Sequence, residues 1–181
     1  MTSNIDSSRK KKIHILITLA VMVFIFTQSA LPGSISGAES STVVRLVSWL
    51  ANAIGVSGFS ELDADFVHTV VRKLAHFFEY MLLGGCLMVN MHDWYEEKGK
   101  NAGHQGTWRL VLASLAAGAV YASTDELHQY FVPERACSLR DVCIDSAGVA
   151  VGAILIHLLW LRRIRKENLS VAADMKINAT E

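Results

Sequence analysis

The chain has 181 residues, 51% of them hydrophobic, and a mean hydropathy of +0.31. These values favour one membrane domain over a soluble domain of this size. Its 17 Lys and Arg balance 17 Asp and Glu, so no basic surplus indicates a nucleic-acid partner. The three cysteines lack the paired spacing of a zinc site or a disulfide framework. Cys137 and Cys143 could pair in an oxidising compartment, although packing of small apolar side chains explains them equally well.

The first predicted helix covers residues 13–31, which contain no Asp, Glu, Lys or Arg. At about 1.5 Å per residue this segment can cross a hydrocarbon core of about 30 Å. It is longer than the apolar core of a cleaved signal peptide, about 7–15 residues, and no good cleavage site lies near Ser29. We therefore predict a retained transmembrane helix whose basic residues 9–12 stay in the cytoplasm.

Pro32 and Gly33 end this helix, and a serine-rich loop follows. Apolar residues then recur at helical spacing: Val43, Leu46, Val47, Leu50 and Ile54. This pattern predicts an amphipathic helix that is too short and polar to cross the membrane. We expect it to lie in the outer interface with Trp49 at headgroup depth, and a lid over the other helices is the alternative.

Three further helices are predicted at residues 66–91, 108–129 and 141–161, the second of these ending before Pro133. A hydrophilic connector covers residues 93–106. Alternation from a cytoplasmic N-terminus places most of the 17 basic residues in the cytoplasm, as the positive-inside rule requires.

The sequence therefore predicts an all-α membrane protein with four transmembrane helices plus one interfacial amphipathic helix. Residues 1–12 form a cytoplasmic tail, residues 13–161 the membrane domain and residues 162–181 a second cytoplasmic tail. A soluble helical bundle is the alternative, because the last three helices each lack a full uncharged run of 18 residues.

Charged side chains interrupt the second helix and flank the third and fourth, all at the outer level of the bilayer by this topology. Each costs roughly 2.5–3.5 kcal/mol at membrane depth, so the group must pair, meet water or serve a function. For catalysis, we assign Glu79 or Asp125 as a general base and His76 as a proton carrier. Lys73 and Arg135 would hold an anionic group such as phosphate.

Three other interpretations stay open. The charges could pair with one another and only hold the helices in register, for example Lys73 or Arg72 with Asp141 or Asp145. His76, Glu79 and His128 could bind a divalent metal, although this spacing is a weak signal. Ion transport is disfavoured because the polar groups lie only at the outer end and form no continuous path.

Two segments, KLAHFFEY and DELHQYFVPERACSLRDVCIDSAGVAVG, resemble the VanZ-like membrane proteins, as does FTQSALPGSISGAESS after the first helix. The resemblance implies a multi-pass bacterial membrane protein, in a family whose founding member is associated with resistance to the glycopeptide teicoplanin. Carried over by position, the family's motif residues correspond to Lys73, His76, Glu79, Tyr80, Gly84, Asp125, Glu126, Gln129, Pro133, Arg135, Asp141, Asp145, Gly148 and Gly152. Asp145 stands where the motif often has Asn, which adds an anionic group.

We therefore expect a cell-envelope protein that binds or modifies a cell-wall or lipid-linked species and lowers glycopeptide susceptibility. A non-catalytic scaffold with structural charges is the alternative. The expected partner is the lipid bilayer, with no cofactor and no metal, and the sequence specifies no oligomeric state. Substrate-binding candidates are Lys73, Tyr80, Glu126, Gln129, Arg135, Asp141 and Asp145.

Overall fold

Four long helices make up almost all of the described chain in the computed structural model, which describes residues 2–32, 43–46, 49, 53, 64–97 and 104–178. Helix α1 covers Thr2–Ser29, α2 covers Ala64–Glu97, α3 covers His104–Gln129 and α4 covers Leu139–Asn178. No strand occurs within these ranges. The all-helical fold predicted from the sequence is therefore confirmed.

Each helix contains a segment long and apolar enough to cross a membrane: Ser7–Ser29, Phe66–Glu97, Thr107–Gln129 and Leu139–Ala173. Large apolar side chains on these segments, such as Leu16, Leu112 and Val120, are exposed. A bilayer would cover such surfaces, which are unusual on a soluble protein. The four predicted spans are therefore confirmed.

All four helices are longer than the sequence indicates, and the predicted connector at residues 93–106 is helical at 93–97 and 104–106. Helix α1 begins at Thr2, before the basic run at residues 9–12, and α4 continues to Asn178, well beyond residue 161. Of the predicted interfacial helix, residues 43–46, 49 and 53 are helical, with exposed side chains at Val43, Leu46 and Trp49. The rest of that helix, and the serine-rich loop before it, lie outside the described residues.

The tightest packing joins α2 to α4, which run in the same direction. Gly148 and Gly152 on α4 lie against the backbone of α2, where an added Cβ atom would overlap the carbonyl groups of Phe77 and Met81 respectively. Gly84 on α2 lies equally close to the Val149 carbonyl. Small residues thus allow the two helices to approach at backbone distance, as in many membrane helix pairs.

Two apolar clusters fill the bundle on either side of this glycine contact. One contains Ile25, Tyr80, Leu83, Ala122 and Val149 from all four helices. The other contains Met88, Leu110, Val111 and Ala153. The packing divides the bundle into two ends, one near the C-terminus of α1 and one near its N-terminal half.

The end near the N-terminal half of α1 holds polar side chains that pair across helices. His14 Nδ1 lies 2.6 Å from Asp93 Oδ2, and the Asn90 amide donates to Thr18 Oγ1 at 2.6 Å. His92 Nε2 lies 3.1 Å from His157 Nδ1, and both rings are buried. We call this the histidine end.

Candidate functional site

The predicted polar residues gather at the other end of the bundle, where the C-termini of α1 and α3 meet the N-terminus of α4 and the first half of α2. A cavity of about 220 Å³ opens here. The structure brings seven of the ten predicted site residues to its wall: Lys73, His76, Glu126, Gln129, Arg135, Asp141 and Asp145. Glu79, Tyr80 and Asp125 are not part of that wall. We call this end the cavity end.

A buried hydrogen-bond network lies behind the cavity and ties α1 to α3. Ser29 Oγ donates to Asp125 Oδ2 at 2.7 Å, and the Gln129 amide donates to the same oxygen at 3.1 Å. The Gln129 amide also lies 3.3 Å from Ser29 Oγ. All three side chains are at most 5% exposed. Asp125, predicted as a general base, therefore sits in a structural network.

Arg135 also joins these helices instead of projecting freely into the cavity. Its Nε donates to the Leu31 carbonyl at 3.1 Å and its Nη2 to the Gln28 carbonyl at 3.2 Å, while its Nη1 donates to Gln129 Oε1 at 3.3 Å. The guanidinium thereby contacts carbonyl groups at the end of α1 and just after it, where the helical ladder stops. The Gln28 carbonyl also accepts a hydrogen bond from the Leu31 amide at 3.3 Å. No sequence pattern predicts this contact, because the carbonyls belong to a segment more than 100 positions away.

The charge on Arg135 survives its half-buried position. Burial lowers the pKa of Arg135, and the nearby Arg72 lowers that pKa further, whereas Asp125, Glu126 and Glu79 act in the opposite direction. An arginine side chain stays protonated at any physiological pH. The cavity end therefore carries a fixed positive charge beside its mouth.

Two further contacts join the start of α4 to its neighbours, one from α2 and one from α3. Lys73 Nζ forms an ion pair with Asp141 Oδ1. Glu126 Oε2 accepts a hydrogen bond from the Ser138 amide at 2.8 Å, at the residue where the chain turns into α4. These contacts give part of the charged cluster a structural role.

Glu134 precedes Arg135 and has a φ of 62°, a left-handed conformation that is uncommon outside glycine. This turn reverses the chain after α3 and directs Arg135 back toward α1. The left-handed backbone at Glu134 is therefore adjacent to the residue that joins the turn after α3 to the end of α1.

The candidate catalytic pair His76 and Glu79 lies on one face of α2, with His76 Nδ1 3.5 Å from Glu79 Oε2. Only His76 reaches the cavity wall. Tyr80 packs in the apolar core, with its ring centroid 6.0 Å from that of Tyr121. His76, the predicted proton carrier, therefore lines the cavity, whereas Asp125 and Tyr80 are buried behind its wall.

Two charged side chains on the cavity wall have no partner among the described residues. Arg72 is half-buried and lies within hydrogen-bond or ion-pair distance of no described acceptor. Asp145 is only 2% exposed, and no donor from the described part of the chain reaches its carboxyl group. Arg72 was considered from the sequence only as a pairing residue for Asp141 or Asp145. The structure instead leaves it available at the cavity.

The predicted metal ligands and the cysteines can also be located in the structure. Within the described ranges, no three His, Cys, Asp or Glu side chains are arranged to hold a metal ion. His128, the third member of the predicted metal set, stacks on Phe26 with ring centroids 4.5 Å apart. Cys137 and Cys143 are both free and exposed.

A family model described as VanZ/LLP1 matches residues 14–160 of the chain, which include all of α2 and α3, parts of α1 and α4, and every residue of the cavity wall. No curated protein and no solved structure is similar enough to the chain to count as a match.

Proposed function

Because the chain belongs to the VanZ/LLP1 family, we propose that it is a cell-envelope membrane protein that binds the polar group of a cell-wall or lipid-linked species in the cavity. We further propose that this binding lowers glycopeptide susceptibility, teicoplanin susceptibility above all. The topology predicted from the basic residues directs the cavity away from the cytoplasm. An envelope molecule would reach it from that side.

The observation that carries this proposal is the pair of unpartnered charges, Arg72 and Asp145, on one cavity wall. A charge at membrane depth is costly. If the charged residues served only to hold the bundle together by ion pairs, we would expect each of them to have a partner. A bound ligand would supply the missing partners. The cavity is smaller than the roughly 300–1000 Å³ of pockets for drug-sized ligands, so it suits a small polar group and not a whole glycopeptide.

Binding fits the geometry better than general-base catalysis by Asp125 or Glu79. Asp125 accepts two hydrogen bonds within the buried network, and neither residue belongs to the cavity wall. A general base must come within hydrogen-bond reach of the proton that it removes. His76 is the predicted catalytic residue that satisfies this condition, and it would be the proton carrier in any modification of the ligand.

A non-catalytic scaffold is the second candidate function, and the ion pair between Lys73 and Asp141 favours it. Exchanging the two charges tests the scaffold directly. If the pair only holds α2 to α4, Lys73→Asp and Asp141→Lys should each lower membrane abundance, and the double exchange should restore both abundance and phenotype. Restored abundance with a lost phenotype would instead support a ligand that contacts this wall.

The test of function is the teicoplanin and vancomycin susceptibility of cells that express the chain. We expect wild-type protein to reduce susceptibility, and we expect Arg72→Gln and Asp145→Asn to abolish the reduction at unchanged membrane abundance. Arg163→Gln is the matched control, because Arg163 is an exposed basic residue near the far end of α4. Unchanged susceptibility on expression of the wild type would remove the glycopeptide part of the proposal.

The side of the membrane that the cavity faces can be tested with the native cysteines. Cys137 is exposed in the turn beside the cavity, whereas Cys86 is partly covered within α2. A membrane-impermeant maleimide applied to intact cells should label Cys137 in a Cys86→Ala, Cys143→Ala background. Labelling only after lysis would place the cavity on the cytoplasmic side and contradict the predicted topology.

A further inference from the structure

The cavity wall carries charged side chains of both signs, and two of them have no partner among the described residues. Arg72 is half-buried on α2, and Asp145 is 2% exposed on α4. Both line the same cavity. A ligand with one charge of each sign would supply a partner to each of these side chains.

The numbers of basic and acidic side chains on the wall are similar. Three basic side chains and four carboxyl groups line the cavity, beside His76. A ligand that carries one charge of each sign matches this composition better than a polyanion, which would add negative charge beside four carboxyl groups.

From these features we propose that the cavity takes a phosphoethanolamine group, with its phosphate at Arg72 and its ammonium at Asp145. This inference rests on the proposed binding function and specifies the ligand. A guanidinium binds phosphate with paired hydrogen bonds, which a neutral hydroxyl group would not match. A buried carboxylate with no donor from the protein accepts hydrogen bonds from a primary ammonium.

The composition of the wall distinguishes this group from choline. Quaternary ammonium groups cannot donate hydrogen bonds and are usually bound by aromatic side chains. No Phe, Tyr or Trp occurs among the described residues that line the cavity. The wall is therefore built for an N–H donor and not for a methylated cation.

The phosphoethanolamine group could belong to a bilayer phospholipid or to another envelope molecule, since both offer the same chemistry to the cavity. Exposed apolar side chains beside the cavity end, such as Leu139 and Phe131, would contact acyl chains in the first case. In the first case the phospholipid itself binds in the cavity, and in the second case it does not.

Binding to soluble headgroup probes tests the ligand class. The full chain, in nanodiscs of phosphatidylglycerol, is titrated with O-phosphoethanolamine, phosphocholine, glycerol 3-phosphate and ethanolamine, and the dissociation constants are compared. We expect O-phosphoethanolamine to bind at least tenfold more tightly than each of the others. Dihexanoyl phosphatidylethanolamine then distinguishes the sources: tighter binding than the soluble probe indicates a phospholipid, and exclusion indicates another carrier of the same group.

Two variants assign the two charges of the ligand. Asp145→Asn should abolish the preference for O-phosphoethanolamine over glycerol 3-phosphate, and Arg72→Gln should weaken every phosphate-containing probe at least tenfold. Arg163→Gln should change neither. Should a variant fail to fold, the ranking of the four probes on the wild-type protein still decides the ligand class.

The outcomes separate the ligand class from the binding function. If glycerol 3-phosphate or phosphocholine binds as tightly as O-phosphoethanolamine, or if Asp145→Asn keeps the preference, the zwitterionic ligand is wrong while a binding cavity remains. If none of the four probes binds to the folded protein, and Arg72→Gln and Asp145→Asn also leave antibiotic susceptibility unchanged, the binding function itself is wrong.

Discussion

The two ends of the bundle differ in how they treat polar side chains. At the histidine end, polar groups of neighbouring helices pair with one another, as His14 does with Asp93 and His92 with His157. At the cavity end, a buried network and an ion pair hold the helices, and Arg72 and Asp145 remain without described partners beside an open cavity. The difference shows which part of a polar cluster is structural and which part is available to a ligand.

The glycine contact between the two ends should have the largest effect when it is changed. Gly152→Val would place side-chain atoms against the Met81 backbone, which cannot move aside, and we expect a loss of about 3 kcal/mol in the free energy of unfolding. Gly85→Val is the matched control, because its nearest new neighbour at 3.3 Å is a flexible Ile156 side chain. Unfolding in mixed micelles measures both. Equal effects would contradict backbone-limited packing.

We expect the second-largest effect on stability from a change in the buried network at the cavity end. Asp125→Ala would leave the donors of Ser29 and Gln129 without an acceptor, at a cost of about 1–3 kcal/mol in unfolding free energy. A double-mutant cycle with Ser29→Ala should give a coupling free energy of at least about 0.5 kcal/mol. Additive effects of the two substitutions would mean that the contact does not stabilise the fold.

One pair of substitutions tests whether polar side chains at the two ends contribute differently to stability. Asp145→Asn removes a buried carboxyl group that has no described partner, so we expect the unfolding free energy to stay unchanged or rise by about 1 kcal/mol. His92→Phe keeps a ring against Trp160 but loses the contact with His157, and should cost about 1 kcal/mol. A loss at Asp145 as large as that at His92 would show that both ends are structural.

We expect the smallest effect on the free energy of unfolding from substitutions in the turn that directs Arg135. Glu134→Gly should relieve the left-handed backbone and raise the unfolding free energy by a few tenths of a kcal/mol to about 1 kcal/mol. Glu134→Ala removes the same carboxylate but keeps the Cβ atom, so it separates backbone strain from charge. If thermal unfolding shows the alanine variant to be as stable as the glycine variant, the strain at this turn has no measurable cost.

Much of the architecture follows from local patterns. The uncharged run at residues 13–31 is long enough to span a bilayer, and Pro133 lacks the amide hydrogen that would let α3 continue. Helix ends were harder to predict. Helix α4 continues to Asn178 because its basic residues are good helix formers, and their charge alone does not end a helix.

The gathering of polar residues at one end could also be predicted, since antiparallel neighbouring helices bring the end of α3 and the start of α4 to the same level. Their individual roles could not. The motif residues Arg135 and Asp125 look like ligand groups in the sequence, yet their partners are the end of α1, roughly 100 positions earlier. Asp145 and Arg72 give no sequence signal of being unpartnered.

The sequence by itself determined a helical membrane protein of four spans, because hydrophobic length and charge placement are local properties that the bilayer acts on directly. The tertiary structure alone decided which charges are satisfied. That outcome depends on how closely α2 and α4 approach at Gly148 and Gly152, and on whether a donor from another helix comes within about 3 Å of a given carboxylate. Hydrogen bonds are short and directional, so helix packing sorts the charged residues into a supporting network and an open site.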